Sequence, residues 1–223
     1  MQPRSKQRSS RAERKALVRE LLEARDLERL VAAARADQRL VGVLSSLLVE
    51  ADELLRCRAM EGLARVCASA AETDLEAVRE QIRRLLWAMN EESGANVKHA
   101  PEAIAEILVR VPALLGEYAT VVAAFCEEDY FRRGVHQAMA ALASADREVM
   151  LPYVEPLRQS LHDPDPATRA FAFAALSQLS EPPTAAETAR LAADESPVRL
   201  YDPDRGQVVE TTVGGIVVSH SGS

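Results

Sequence analysis

The sequence predicts an all-α protein: a right-handed α-α superhelix of stacked helix pairs, closed by a small C-terminal β-hairpin. Three observations predict it. First, a nine-residue apolar phrase recurs four times, as RAMEGLARV at 58–66, HAPEAIAEI at 99–107, GVHQAMAAL at 134–142 and FAFAALSQL at 171–179. Each copy has a small residue (Ala59, Ala100, Val135, Ala172), then a large apolar one (Leu63, Ile104, Met139, Leu176), then another (Val66, Ile107, Leu142, Leu179). Second, equivalent positions stand 41, 35 and 37 residues apart, the period of helix-pair repeats. Third, hydrophobic residues make up 48% of the chain but aromatics only 4%, with 9 glycines. Alanine-rich helices are thin enough to stack closely, and strand-like alternation is scarce before residue 197.

Along the chain, residues 1–11 read as a disordered basic arm, 12–196 as the helical-repeat domain and 197–218 as a hairpin cap on it. Apolar spacing over 12–36 fits helix with a break near Asp26. First helices of the pairs are predicted over 40–49, 75–89, 115–126 and 149–161. Second helices follow over 54–68, 100–110, 131–143 and 166–179. Acidic residues stand at the turns between them, in LLVEAD, LLWAMNEE, AAFCEED and SLHDPDP. There they cap the next helix and favour its positive dipole end. Pro182 and Pro183 end the array, and 184–193 is a short helix with Thr184 as its N-cap. Two β-rich runs then flank Pro203-Asp204-Arg205-Gly206, a hairpin signal. A lone hairpin is marginal in water, so it is expected on the last helices, capping the end of the array. Residues 219–223 are expected to fray.

Composition bounds the function. The three cysteines (Cys57, Cys67, Cys126) are odd in number and form no CxxC, which fits reduced, packed thiols. No apolar run of about 18 residues and no signal-type leader is visible, so no membrane partner is expected and the cytoplasm is the expected compartment. The net charge is −7; the first fifteen residues carry six basic residues and one acid, and the remainder is strongly acidic. A nucleic-acid binder needs a positive face for phosphates, so nucleic acid is not the expected partner.

The fourth unit, Asp163-Pro-Asp-Pro-Ala-Thr-Arg169, resembles the HEAT repeat, in which Asp-Pro opens the second helix and an arginine follows one turn in. Arg56 and Arg132 match Arg169, and Asp52 and Glu128 match Asp165. The resemblance implies an acid–arginine ladder between neighbouring units. The second unit departs, with Val97 at the arginine position. Its segment is similar to one found in a group of bacterial HEAT-like proteins: MNEESG at 89–94, APEAIAEI at 100–107 and, near the end, VETTVGG at 209–215. Ala95, Val97 and Ala105 replace glycines of that pattern, His99 stands near its tryptophan, and Gly215-Ile216-Val217 replaces its final ELA. The group brings no assigned activity, so no residue role carries over.

Repeats keep a common frame and vary where they meet a partner. The candidate partner-binding residues are therefore those of the departing segment: Asn90, Glu91, Glu92, Ser93, Gly94, His99, Glu102 and Glu106. His99, Glu102 and Glu106 lie at i, i+3 and i+7, on one helical face. Three readings stand: a solvated acidic surface, a recognition patch for a basic protein segment, and a carboxylate–histidine metal or acid–base site. The third has His-x-x-Glu on one helix and no second copy. A column of Glu61/Arg65, Glu102/Glu106, Gln137 and Gln178 is expected to line one surface.

Other residues carry less. His136 reads as a helix-surface or buried hydrogen-bonding histidine, His162 as satisfying a helix end, and Trp87 and Cys126 as core. Asp202-x-Asp204-x-Gly206 would need Glu at 213 for a calcium loop, and has Val213. No phosphate loop, nucleophile elbow or HExxH occurs. The expectation is a non-enzymatic interaction or scaffold module with no catalytic residue, cofactor or metal, binding an unidentified protein. The alternatives are a HEAT-like nucleic-acid-binding or DNA-repair protein and an accessory protein or enzyme for a cofactor.

Overall fold

The computed structural model describes residues 10–90 and 97–221. Helices α1 (Arg11–Glu23) and α2 (Leu27–Ala36) form the first antiparallel pair. Four further pairs follow: α3 (Arg39–Ser46) with α4 (Glu53–Ala71), α5 (Leu75–Met89) with α6 (Ala100–Arg110), α7 (Leu115–Ala123) with α8 (Arg132–Ala145), and α9 (Val154–Ser160) with α10 (Pro166–Leu176). Short 3₁₀ turns extend three of the first helices, at Leu47–Val49, Ala124–Glu127 and Arg147–Tyr153. After α11 (Ala185–Ala192) come antiparallel strands β1 (Pro197–Asp202) and β2 (Gln207–Thr212), then α12 (Val213–Ser221).

The second helices pack in series, α4 on α6, α6 on α8 and α8 on α10. All twelve positions of the repeated phrase are buried. Their i, i+4, i+7 spacing puts them on one helical stripe, and alanine or valine at the first position lets neighbouring helices approach. Burying a large apolar side chain contributes about 1.5–3 kcal/mol, so this stripe is the main source of repeat stability. Asp52 and Asp165 cap α4 and α10 by accepting the Leu55 and Thr168 amides, at 3.0 and 2.9 Å. The matched arginines staple their own inter-helix turns. Arg56 donates to the Glu50 carbonyl at 2.6 Å, Arg132 to Glu127 at 3.1 Å and Arg169 to Asp163 at 2.7 Å. Two of them also reach forward, Arg132 to Asp163 at 3.7 Å and Arg169 to Asp194 at 2.7 Å.

Four expectations are corrected. Ser10 and Arg11 belong to α1: Ser10 is its N-cap, in a reciprocal capping box with Glu13. The rest of the expected arm lies outside the described residues. Residues 213–221 form a helix rather than hairpin or frayed tail. Thr212 caps it by accepting the Gly215 amide, and Val213, Ile216 and Val217 recur at i, i+3 and i+4 and are buried against α10 and α11. Trp87 is 69% exposed. The buried face of α5 is Val78, Ile82, Leu85 and Met89, and two residues past Leu85 points to the opposite side of a helix.

The fourth correction concerns the hairpin. Only α12 sits at the end of the array; β1 and β2 run back to α4, 140 residues upstream in sequence, through the Tyr201–Glu61 contact. Arg133 on α8 donates to the Arg199 carbonyl at 3.2 Å, and Arg199 pairs with Glu53 at 2.9 Å. The hairpin therefore crosses the face of the second helices from α10 to α4.

Candidate functional site

Under the hairpin lies a cavity of about 80 Å³. Helix α4 contributes Cys57, Met60 and Glu61, α6 contributes Glu102, Ala105 and Glu106, and α8 contributes Gln137, Ala138 and Ala141. Tyr201 and Pro203 of the hairpin form its roof. Glu61, Glu102 and Gln137 are the same position of the repeated phrase in three successive copies. Serial stacking of α4, α6 and α8 is what brings them together.

Glu61 is 3% exposed and saturated. It accepts from Arg25 Nε at 3.2 Å, Arg25 Nη2 at 3.0 Å and Tyr201 Oη at 2.6 Å, with Arg65 at 3.7 Å. Burial works against its charged form, but the Arg25 and Tyr201 hydrogen bonds and the two cations outweigh burial and hold its pKa below the usual carboxylate value. Burial first, then the Glu61 hydrogen bond, pushes the Tyr201 hydroxyl well above its ordinary range. Burial also pushes the Cys57 thiol up to about 11. It is therefore an inert wall rather than a nucleophile.

Arg25 sits in a left-handed conformation, φ 52°, at the place where a helix stop commonly has glycine. The Asp26 amide closes to the Leu21 carbonyl at 2.8 Å and the Arg25 amide to Leu22 at 3.0 Å, a Schellman stop. A non-glycine residue there costs about 1–2 kcal/mol. The side chain explains its presence: besides Glu61 it donates to the Pro203 and Asp204 carbonyls of the hairpin turn. Arg58 completes the clasp, donating to the Gly206 carbonyl at 3.0 Å and to the Glu23 carbonyl at the end of α1 at 2.7 Å. Gly206 has φ +64°, and a Cβ there would run into the Arg25 side chain that the turn holds. The turn needs glycine on both counts.

Glu102 differs. It is 7% exposed, and its Oε1 accepts from His99 Nδ1 at 2.9 Å. Its Oε2 is buried with no hydrogen-bond partner. The carboxylate lies over Gly134 of α8, where a Cβ would stand 2.5 Å from Oε2. Glycine at that position makes room for the acid. Glu106, one turn along α6, is half-buried and paired with Arg110. Gln137 is half-buried and makes no side-chain hydrogen bond among the described residues.

The sequence-predicted site residues therefore divide. Glu102 and Glu106 line the cavity and His99 braces Glu102. Glu102 is not a surface residue as its place on a polar helical face implied, because α8 covers it at Gly134. Asn90 is the exposed C-cap of α5, bonded to the Leu86 carbonyl at 2.9 Å, and does not line the cavity. Glu91, Glu92, Ser93 and Gly94 lie outside the described residues. Of the expected column, Glu61, Glu102, Glu106 and Gln137 meet at the cavity, Arg65 stands beside it, and Gln178 lies apart, beside Pro112 and Ala143. Among the described residues no three His, Cys, Asp or Glu side chains converge as metal ligands. The reading missed Arg25, Tyr201 and Gly134. Two local signals pointed to them: an arginine at a helix stop and a glycine inside an alanine-rich helix.

His136 is buried between Arg132 O, at 2.7 Å from Nδ1, and Ser160 Oγ, at 2.8 Å from Nε2. Burial holds its pKa below the ordinary value. It is a packed hydrogen-bonding residue. No single helix among the described residues is long and apolar enough to cross a membrane. No family model matches this chain, and neither the curated proteins nor the solved structures contain a match.

Proposed function

We propose that this protein is a non-enzymatic interaction module that binds a basic protein segment on the face of its second helices, at the acid-lined cavity beneath the hairpin. One observation carries the reading: two acids of one helix, Glu102 and Glu106, line that cavity, and Glu102 has a buried oxygen without a hydrogen-bond partner. Glu106 on the rim adds negative potential that steers such a segment. The walls carry no activated nucleophile.

The test is site-directed photocrosslinking. A photoreactive residue replaces Ala141 at the cavity, and a second protein carries it at Val121 on α7, an exposed position. Crosslinks from Ala141 to a lysine- or arginine-rich protein segment, weakened in high salt and by Glu106→Lys, are expected. Crosslinks to such segments from Val121 alone, or to nucleic acid from Ala141, would discard the reading.

A further inference from the structure

We infer that the chain carries a second site, between α1 and α3, that binds a phosphate monoester. It shares no residue with the hairpin cavity and does not depend on the basic-segment reading. Three features argue it.

The first is an uncompensated cluster of cations. Arg11, Arg14 and Lys15 of α1 stand at i, i+3 and i+4, on one helical face, and Arg39 of α3 meets them across a shallow hollow. Like charges at those spacings destabilise a helix, and cations in the first turns oppose its dipole. The acids nearby are committed. Glu13 accepts the Ser10 amide at 2.7 Å, and Glu50, whose charge Lys15 feels, accepts from Arg19 at 2.7 Å. Asp37 is shared between Arg14 at 3.7 Å and Arg39 at 3.4 Å. Arg11 and Lys15 are exposed, and their side chains make no ion pair or hydrogen bond among the described residues. Four cations face one shared acid.

The second feature is the floor. Gly42, Val43 and Ser46 follow Arg39 at i+3, i+4 and i+7, on the same face of α3. Gly62 and Gly134 are held to glycine by their neighbours, since a Cβ there would run into Leu30 and Glu102. A Cβ on Gly42 would meet nothing within 4 Å. Packing therefore does not ask for glycine at 42, and glycine inside a helix weakens it relative to alanine. What Gly42 provides is bare, exposed backbone among the cations, which an anion can approach closely.

The third is the form of the charge. A phosphate monoester carries about −1.5 to −2 charge near pH 7 on three acceptor oxygens, so it can meet several cations at once. A carboxylate has a single charge and two oxygens. Guanidinium forks match phosphate oxygens, and three of the four cations are arginines. The patch is also an island, because the chain beyond its first fifteen residues is strongly acidic. A nucleic-acid strand or a membrane surface would press its charges against those acids as well. A single compact dianion does not.

A phosphorylated protein side chain and a small phosphate ester offer the same group, so the test separates them. Nα-acetyl-phosphoserine methylamide, its aspartate counterpart, glycerol 3-phosphate and a short oligothymidylate are titrated into the full chain, followed by NMR shifts of the Gly42 and Val43 amides. The phosphoserine probe is expected to saturate these shifts, with the aspartate probe at least about tenfold weaker. Arg11→Gln/Lys15→Gln is expected to weaken the phosphoserine probe at least about tenfold and to leave the urea midpoint unchanged or raised, since neither side chain has a partner to lose. Gly42→Glu, which places an acid in open space, is the second variant and is expected to abolish the Val43 shift. Arg83→Gln/Arg84→Gln, which removes equal charge on α5, is expected to change nothing. The tighter of the phosphoserine and glycerol 3-phosphate probes names the source, and either result keeps the assignment. Equal binding of the aspartate probe, an equal loss in the α5 variant, a lowered urea midpoint or unchanged binding in Arg11→Gln/Lys15→Gln, or no saturable shift would overturn it. Oligothymidylate at least about tenfold tighter per phosphate would overturn it in favour of a polyanion surface.

Discussion

Glu61 and Glu102 occupy the same position in consecutive repeats, are both nearly buried, and meet opposite fates. Glu61 has two cations and a phenol around it. Glu102 has one histidine and a buried oxygen without a partner. The difference traces first to Arg25 and Tyr201, which reach Glu61 from outside the repeats, and then to the residues one turn either side. In the first copy the phrase opens on Arg58, bound to the hairpin turn, and has Arg65 four residues after the acid. In the second it opens on His99 and has Glu106 at the later place. One repeat uses a buried acid to fasten three parts of the chain; the next keeps an equivalent acid unfastened. A buried acid fastens when its charge is matched internally, and becomes a candidate binding group when it is not.

The sharpest way to break this comparison is Glu61→Ala. Removing one partner of a buried, paired charge costs about 3–5 kcal/mol, and both Arg25 and Tyr201 lose their anchor. The urea unfolding midpoint should drop accordingly. A loss below about 1 kcal/mol would show that the clasp contributes little.

Tyr201→Phe comes next. It removes one hydrogen bond to a charged acceptor, worth about 1.5–3 kcal/mol, and should loosen the hairpin on α4, where Arg58 and Glu53 still hold it, while the helices stay folded. Hydrogen exchange should rise in β1 and β2 but not in α6. Equal loosening of α6 would show that the hairpin and the repeats unfold as one unit.

Glu102→Gln sharpens the contrast, since it should change stability by less than about 1 kcal/mol, or stabilise. A loss matching that of Glu61→Ala would mean that Glu102 is fastened after all.

The pH profile follows from two shifts. Burial holds the folded-state pKa of His136 below its ordinary 6.5, so the unfolded chain takes up that proton first. Its contribution is full above about pH 6.5 and is lost as pH falls through the lowered folded value. Glu61, held below 4.5, contributes fully above that value, and its share is lost as pH falls further. Unfolding midpoints should therefore be level near neutrality, decline on acidification below about pH 6.5 and steepen below about pH 4.5. Stabilisation on moving from about pH 7 to 6 would mean that folded His136 takes up the proton and donates from both ring nitrogens.

The smallest effect is at Trp87. Trp87→Gln should cost less than about 0.5 kcal/mol, and the native tryptophan should be readily quenched by acrylamide. Protected fluorescence would show this face to be covered.

The repeat frame was legible in the sequence because its cause is local. A stripe of Ala59, Leu63 and Val66, copied three more times, must face inward wherever helix pairs stack, and all twelve positions do. Acid caps and the Pro182-Pro183 stop are equally local. The end of the chain was not legible for the opposite reason. The Val- and Gly-rich run 213–218 has weak helix propensity, yet α10 and α11 supply an apolar surface that rewards a helix there.

Of the candidate site, Glu102 and Glu106 were readable as departures from the repeat frame. Whether each faces water depends on contacts between residues far apart. Gly134, 32 positions later, makes the space in which Glu102 is buried. Tyr201, 140 positions from Glu61, closes the cavity. By itself the sequence determined that apolar helices pair and stack in a fixed order, since periodicity and caps are properties of neighbouring residues. Only the tertiary structure decided which of two equivalent acids found its partners, because Arg25 arrives from the turn after α1 and Tyr201 from the hairpin, elements the repeat does not encode.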